Sequence, residues 1–250
     1  MHLLPLITLD TALFLDFDGT LAELAPQPHA VRVATGLVRT LEVLHQGLNG
    51  ALAIVTGRTI VDIDRFLSPL QLPIAAEHGS QYRMVDGRTP GITPSDLQVA
   101  LDAADSLVTL HPGLLVERKT AAVALHYRQH PELETLCREV MQAAAAQMRG
   151  VELLQGKCVI EIKPACVNKG QAIASFMNEA PFAGRVPIFV GDDLTDEPGF
   201  SAAQQLGGKG IKVGEGATVA LHRCMTPAAL RGWLAAGRSH LSHSTARTTA

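Results

Sequence analysis

The sequence predicts an α/β fold, a doubly wound parallel sheet interrupted once by an inserted α+β unit. Three observations predict it. Apolar runs of strand length alternate with helical stretches in the first ninety residues and again from residue 164 onward. Several of those runs end abruptly in polar clusters. Between them, residues 91–163 follow a different order, αββαββ, in which helices cover one face of an antiparallel sheet.

The first run, Ala12-Leu13-Phe14-Leu15, has no polar break, as in a strand buried on both faces. Asp16 and Asp18 follow two residues apart, and Gly19 allows a sharp exit. In open α/β sheets ligands bind just past the carboxyl ends of the strands, where these carboxylates stand. Two carboxylates so close repel each other, which implies a metal ion or a shared proton. Oxygen-only ligands favour a hard cation such as Mg²⁺. A lone D-x-D also fits an acidic turn with no chemistry.

Pro26 and Pro28 break the chain into a loop. Val33, Leu37, Leu41 and Leu44 then recur at helical spacing. The second run, Ala51–Val55, ends in Thr56-Gly57-Arg58, a hydroxyl and a guanidinium suited to an oxyanion. Thr56 fits equally well as an ordinary cap on a helix over 59–66. A third strand, 73–76, ends in Glu77-His78-Gly79; no step is assigned to Glu77 or His78.

In the inserted unit, helices are predicted over 95–110, started by Pro94 and Ser95, and over 131–147. Hairpins are predicted over 114–128 and 151–163, the second turning at Gln155-Gly156. Alternation places Lys157, Glu161 and Lys163 on one face, Glu117 with Lys119, and His126 with Arg128. Each hairpin alone reads as a solvated face with cross-strand ion pairs. Together they resemble a polar binding surface of the kind sugars require.

Asn168 is a plausible cap for a helix opening at Lys169, where the helix dipole already favours anions. Val186–Val190 is another buried strand, ending in Gly191-Asp192-Asp193 with Thr195, Asp196 and Glu197 beyond. Ile211-Lys212-Val213 is predicted as the last strand, a helix over 227–236 closes the fold, and the tail after Arg238 is predicted to lack structure.

The 250 residues allow one large or two modest domains, and 47% hydrophobic residues suffice for a sizeable core. A net charge of −3 points away from nucleic acid. No signal peptide and no membrane-length apolar run is read. Cys137, Cys158, Cys166 and Cys224 lack C-x-x-C spacing, which argues against zinc and for free thiols in a reducing compartment. A cytoplasmic protein without a membrane partner is expected; the oligomeric state stays open, with a monomer as the expectation.

D-x-D-G-T, T-G-R, the helix-opening lysine and G-D-D end successive segments in that order. The chain thereby resembles the haloacid dehalogenase (HAD) superfamily of phosphotransferases. It is similar, more closely, to the trehalose-6-phosphate phosphatases, through Phe14–Leu21, Val116–Arg128, Gln155–Gly170 and Phe189–Phe200. The resemblance implies a Rossmann-like HAD core at 1–90 and 164–250, and a C2-type cap at 91–163. It implies a Mg²⁺-dependent phosphoric monoester hydrolase acting through an aspartyl-phosphate. Asp16 is then the nucleophile and Asp18 the acid and base. Asp16, the Asp18 carbonyl and Asp192 bind the metal, and Thr56 and Lys169 bind the phosphoryl oxygens. Asp193 and Asp196 stand behind these groups, with Asp193 orienting a ligand or Lys169. Arg58, Glu117, Lys119, Arg128, Lys157 and Glu161 contact the sugar phosphate, and Asn168 has no assigned ligand role. Another capped sugar phosphatase, such as one for sucrose phosphate, shares the same core motifs. From other classes, a receiver-like phosphoacceptor has no use for the insertion, and a D-x-D glycosyltransferase has none for Lys169.

Overall fold

The computed structural model describes residues 4–25, 27–89, 97–165 and 167–248, so the Pro26 break, the Pro94-Ser95 helix start and the Cys166 thiol lie outside the described residues. The elements in chain order are β1 (Thr11–Leu15), α1 (Leu37–Gly47), β2 (Leu52–Val55), α2 (Ile60–Leu67), β3 (Ile74–Ala76), β4 (Gln81–Arg83), α3 (Gln98–Leu110), β5 (Leu115–Arg118), β6 (Val123–His126), α4 (Glu134–Ala146), β7 (Val151–Gly156), β8 (Val159–Pro164), α5 (Lys169–Met177), β9 (Val186–Gly191), α6 (Glu197–Gln205), β10 (Lys209–Val213), β11 (His222–Cys224) and α7 (Pro227–Thr248). They fall into two compact units, Met1–Pro90 with Asn168–Ala250, and Gly91–Val167.

The first unit is a seven-stranded sheet in the order β11-β10-β9-β1-β2-β3-β4. All its pairs are parallel except β3 with β4. The uninterrupted apolar runs become the middle of this sheet: every residue of β1 and β2 is buried, as parallel strands covered on both faces require. Phe14 of β1 stacks on Phe182 at 5.3 Å between ring centroids, and Phe176 of α5 joins them. Leu37, Leu41 and Leu44 form the buried stripe of α1, the spacing read from the sequence.

The second unit is a four-stranded antiparallel sheet, β5-β6-β8-β7, with the α3 and α4 helices on the face built by Val123, Leu125, Ile160 and Ile162. The predicted order αββαββ is the order observed.

Four local expectations are corrected. The second hairpin turns at Lys157-Cys158, not at Gln155-Gly156, because Gly156 still pairs with Val159. That register keeps Ile160 and Ile162 on the apolar face, and burial of one face is what specifies register. Cys158 takes the left-handed backbone, with φ of 61°. Lys157 therefore sits in the turn and shares no strand face with Glu161. β4 and β11 were not anticipated. Each is three residues long with a single apolar member, too short for periodicity to register. β11 displaces β10 as the sheet's edge. Beyond Arg238 the chain stays helical to Thr248. Leu230 and Leu234 anchor α7 in the core, and no Gly or Pro follows Gly237 to stop its propagation.

Candidate active site

From β1 the chain winds outward through β2 and β3 on one side, and from β9 through β10 and β11 on the other. The direction reverses between β1 and β9, and such a switch point opens a crevice at the carboxyl ends of the strands. Leu15 lies opposite Val190, and the Asp16 N–H continues the ladder by donating to the Val190 carbonyl at 2.9 Å. Asp16 and Asp192 thus leave the sheet side by side.

Gly19 makes this approach possible. Its φ is +72°, and a Cβ there would stand 2.1 Å from Asp192 Oδ2. The Asp192 carboxylate therefore rests against the residue whose peptide carries the Asp18 carbonyl. Gly191 serves in the same way for Asp196, whose Cγ would lie 2.3 Å from an added Cβ.

Asp16 and Lys169 are both nearly enclosed, 5% and 3% exposed. Lys169 opens α5, whose cap is Asn168: its Oδ1 accepts from the Gln171 N–H at 3.0 Å. The Lys169 ammonium donates to Asp16 Oδ1 at 2.7 Å and to Asp196 Oδ1 at 2.6 Å. Asp196 Oδ2 in turn accepts the N–H groups of Asp192 (2.8 Å) and Asp193 (2.9 Å). Asp193, expected to orient a ligand or Lys169, instead caps the short 3-10 helix Leu194–Asp196 and accepts from the Leu194 N–H at 2.6 Å. Asp196 holds Lys169 in its place, because the capping turn carries Asp193 outward while Asp196 is fully buried.

Burial pushes the Asp16 carboxyl well above its ordinary range; Lys169 opposes that shift, while Asp196 and Asp192 add to it. Burial also works against the Lys169 ammonium, but Asp16 and Asp196 more than offset it and raise its pKa. An additional cation among these carboxylates favours ionised Asp16.

Asp16, Asp192 and Asp196 each offer a carboxylate oxygen, all within 4.8 Å of one another. An oxygen-only set, two of its three members buried, fits a hard divalent cation. Asp196 accepts three hydrogen bonds, from the Lys169 ammonium and the Asp192 and Asp193 N–H groups, against two on Asp16, from Lys169 and Thr20.

β2 lies beside β1, and Thr56 leaves it fully buried. Thr59, not Thr56, caps α2, accepting from the Asp62 N–H at 3.2 Å. The Thr56 hydroxyl accepts from the Arg58 N–H at 3.2 Å. Arg58 reaches Asp18 in a two-pronged ion pair, 2.5 Å from Nε to Oδ2 and 2.7 Å from an Nη to Oδ1. Its guanidinium also lies 4.9 Å from the Phe66 ring centroid.

Two residues were missed as participants. Thr20 is buried and its hydroxyl donates to Asp16 Oδ2 at 3.3 Å. Lys212 is buried with its ammonium on the Asp192 carbonyl oxygen. A lysine inside an apolar strand was the available signal, since lysine is almost never fully buried unless paired.

In the second unit the sheet face opposite the helices carries the expected charges. Glu117, Ala124 and Glu161 stand directly across from one another. Lys119 Nζ meets Glu161 Oε2 at 2.5 Å, both side chains being 6% exposed. Glu117 Oε2 lies 2.8 Å from His126 Nε2, and the Arg128 guanidinium donates to the Lys157 carbonyl at 3.4 Å. Lys163 is buried between Glu152 and the Val167 carbonyl. Glu161 and Lys163 are therefore enclosed, unlike an ordinary solvated outer face.

The trehalose-phosphatase family model matches residues 14–221. The chain belongs to the trehalose-phosphatase family. It is 41% identical over 235 residues to the trehalose-6-phosphate phosphatase of Escherichia coli (strain K12), covering 92% of this chain and 87% of that one. It is 42% identical over 229 residues to a probable trehalose-phosphate phosphatase of Sinorhizobium fredii, covering 90% and 86%. A crystal structure of a trehalose-6-phosphate phosphatase related protein superposes with a TM-score of 0.74 at 31% identity, covering 93% of this chain and 99% of that one. The C-terminal domain of trehalose-6-phosphate phosphatase from C. albicans shares the fold, with a TM-score of 0.81 at 23% identity over 92% of each chain. The trehalose-phosphatase resemblance read from the motifs is thus borne out, as is the HAD-type α/β core with an inserted α+β unit. Among the described residues no helix is long and apolar enough to cross a membrane.

Proposed function

We propose that this chain hydrolyses trehalose 6-phosphate to trehalose and phosphate, with Mg²⁺ as its cation. The observation that carries the reading is the buried Asp16, gripped by Lys169 at the switch point, with Asp192 seated against Gly19. Asp16 attacks phosphorus: a bond from its carboxylate oxygen to phosphorus forms as the bond from phosphorus to the sugar oxygen breaks. Asp18 gives its proton to that departing oxygen. In the second step Asp18 takes a proton from water, whose oxygen attacks phosphorus and frees Asp16 and inorganic phosphate. Thr56 and Lys169 hold the phosphoryl oxygens, and Asp196 fixes Lys169. A divalent cation held by the Asp16 and Asp192 carboxylates and the Asp18 carbonyl supplies charge neutralisation for the transferring group. The Gly91–Val167 unit acts as the cap, and Glu117, Lys119, Arg128, Lys157 and Glu161 recognise the disaccharide. Arg58 is assigned to Asp18 before substrate, because both of its described hydrogen-bonding arms end there. The protein works without nucleic-acid or membrane partners, in the cytoplasm, as a monomer.

A panel of phosphorylated sugars tests the reading, with kcat/KM highest for trehalose 6-phosphate. A higher value for sucrose 6-phosphate or glucose 6-phosphate overturns the substrate and leaves the phosphatase core standing. Metal removal is the second test. Chelation by EDTA stops phosphate release and added Mg²⁺ restores it. Asp192→Ala, lacking one of few carboxylate ligands, needs at least ~10-fold more Mg²⁺ for half-maximal rate. An unchanged metal requirement removes Asp192 from the metal's ligands.

A further inference from the structure

Glu77 and His78 carry no step of the reaction, yet their backbone is unusual. Both are non-glycine residues in the left-handed region, with φ of 46° and 59°, and both are buried. Such conformations persist only where the surroundings over-determine them, and they collect at functional sites. What over-determines them here is the loop that follows β2. The His78 N–H donates to the Thr56 carbonyl at 2.9 Å, and the Glu77 N–H donates to the Arg58 carbonyl at 2.9 Å. The two bonds straddle Gly57. The His78 ring fills the space between: a Cβ on Gly57 would stand 2.7 Å from its Cε1 and Nε2. Below the turn, the Ser80 hydroxyl donates to the Glu77 carbonyl at 2.9 Å. The loop so held delivers Arg58, whose guanidinium takes both oxygens of Asp18.

We propose that His78 is a positioning residue for proton transfer: its ring against Gly57, with the Glu77-His78 backbone bonds to Thr56 and Arg58, sets the Arg58 guanidinium that aims the Asp18 carboxyl. The proposal rests on the reading of Asp18 as general acid and deepens it. Removing the ring alone leaves the His78 N–H on the Thr56 carbonyl, so the loss reaches Asp18 through Arg58 and shows where the leaving group needs a proton.

The test is single-turnover kinetics with enzyme in excess, which isolates the first transfer. Trehalose 6-phosphate expels an alkoxide that must be protonated, whereas p-nitrophenyl phosphate expels a phenolate that is stable without a proton. His78→Gly removes the ring while keeping a residue at ease with positive φ. It slows transfer from trehalose 6-phosphate by about 10-fold, part of the usual general-acid contribution, and leaves p-nitrophenolate release within a factor of about 2. His78→Asn, also tolerant of the left-handed region, is the second variant should the glycine protein not fold. Equal slowing with both substrates means a loosened core and overturns the proposal, as does no slowing with either. An Asp18→Asn control separates the layers. If it is selective for the alkyl phosphate and neither His78 variant is, the brace alone is wrong; if it is unselective, the reading of Asp18 falls. If the native chain fails on trehalose 6-phosphate itself, the substrate assignment falls and glucose 6-phosphate serves as the alkyl phosphate for the same comparison.

Discussion

Asp16→Asn lowers turnover of trehalose 6-phosphate at least ~10³-fold, because an amide oxygen of nearly the same shape cannot accept the phosphoryl group. The protein does not lose stability in exchange. Burial holds the folded-state pKa of Asp16 above its unfolded value. A carboxyl shifted upward binds its proton more tightly when folded, so above its unfolded pKa the ionised form weighs against the native state. A neutral amide removes that opposition, while Lys169 keeps Asp196 as a buried partner at 2.6 Å. A thermal melt at neutral pH without added metal therefore gives a Tm equal to or above that of the native chain. Phosphate release on the same preparation settles the chemistry: retention of more than a few per cent of native turnover removes Asp16 as nucleophile.

Glu161→Gln lowers kcat/KM for trehalose 6-phosphate by roughly 10- to 100-fold, the scale of one lost charge-assisted hydrogen bond to an enclosed hydroxyl. A small aryl phosphate, which makes no sugar contact, keeps its rate. Glutamine is the informative replacement because Glu161 also pairs with Lys119, both side chains being 6% exposed. Alanine leaves that ammonium stranded, and breaking a buried pair costs about 3–5 kcal/mol. An alanine variant thus mixes recognition with cap stability, whereas glutamine keeps an oxygen for Lys119 to use. Equal loss with both substrates reports a folding defect, and no loss with either dismisses Glu161 from recognition.

What could be read beforehand, and what could not, follows the range of the interactions. β1 and β9 were legible because burial on both faces writes an unbroken apolar run, and the chemistry sits where each run stops. Asp16, Thr56 and Asp192 are candidates legible from the ends of such runs, and Lys169 from the helix that Asn168 caps. The Arg58–Asp18 pair spans forty residues and depends on how β1 and β2 align, which no local pattern encodes. The choice between Asp193 and Asp196 depended on which of two nearby carboxylates the capping turn buries. The hairpin turn was misplaced because glycine is the usual turn residue, whereas the apolar register moved the turn onto Cys158. Lys212 was passed over because only Ile211-Lys212-Val213 was read as the strand, whereas β10 runs Lys209–Val213.

Among the described residues, the apolar cluster of the seven-stranded unit and that of the four-stranded unit have no residue in common. Each sheet therefore packs an apolar cluster drawn from its own part of the chain. Under the proposed function, selection can revise the four-stranded sheet while the residues around Asp16 stay as they are. A lineage changing its diet of phosphorylated sugars has a module to rewrite, and an engineer has the same freedom: libraries confined to 114–163 sample new specificities over unaltered chemistry.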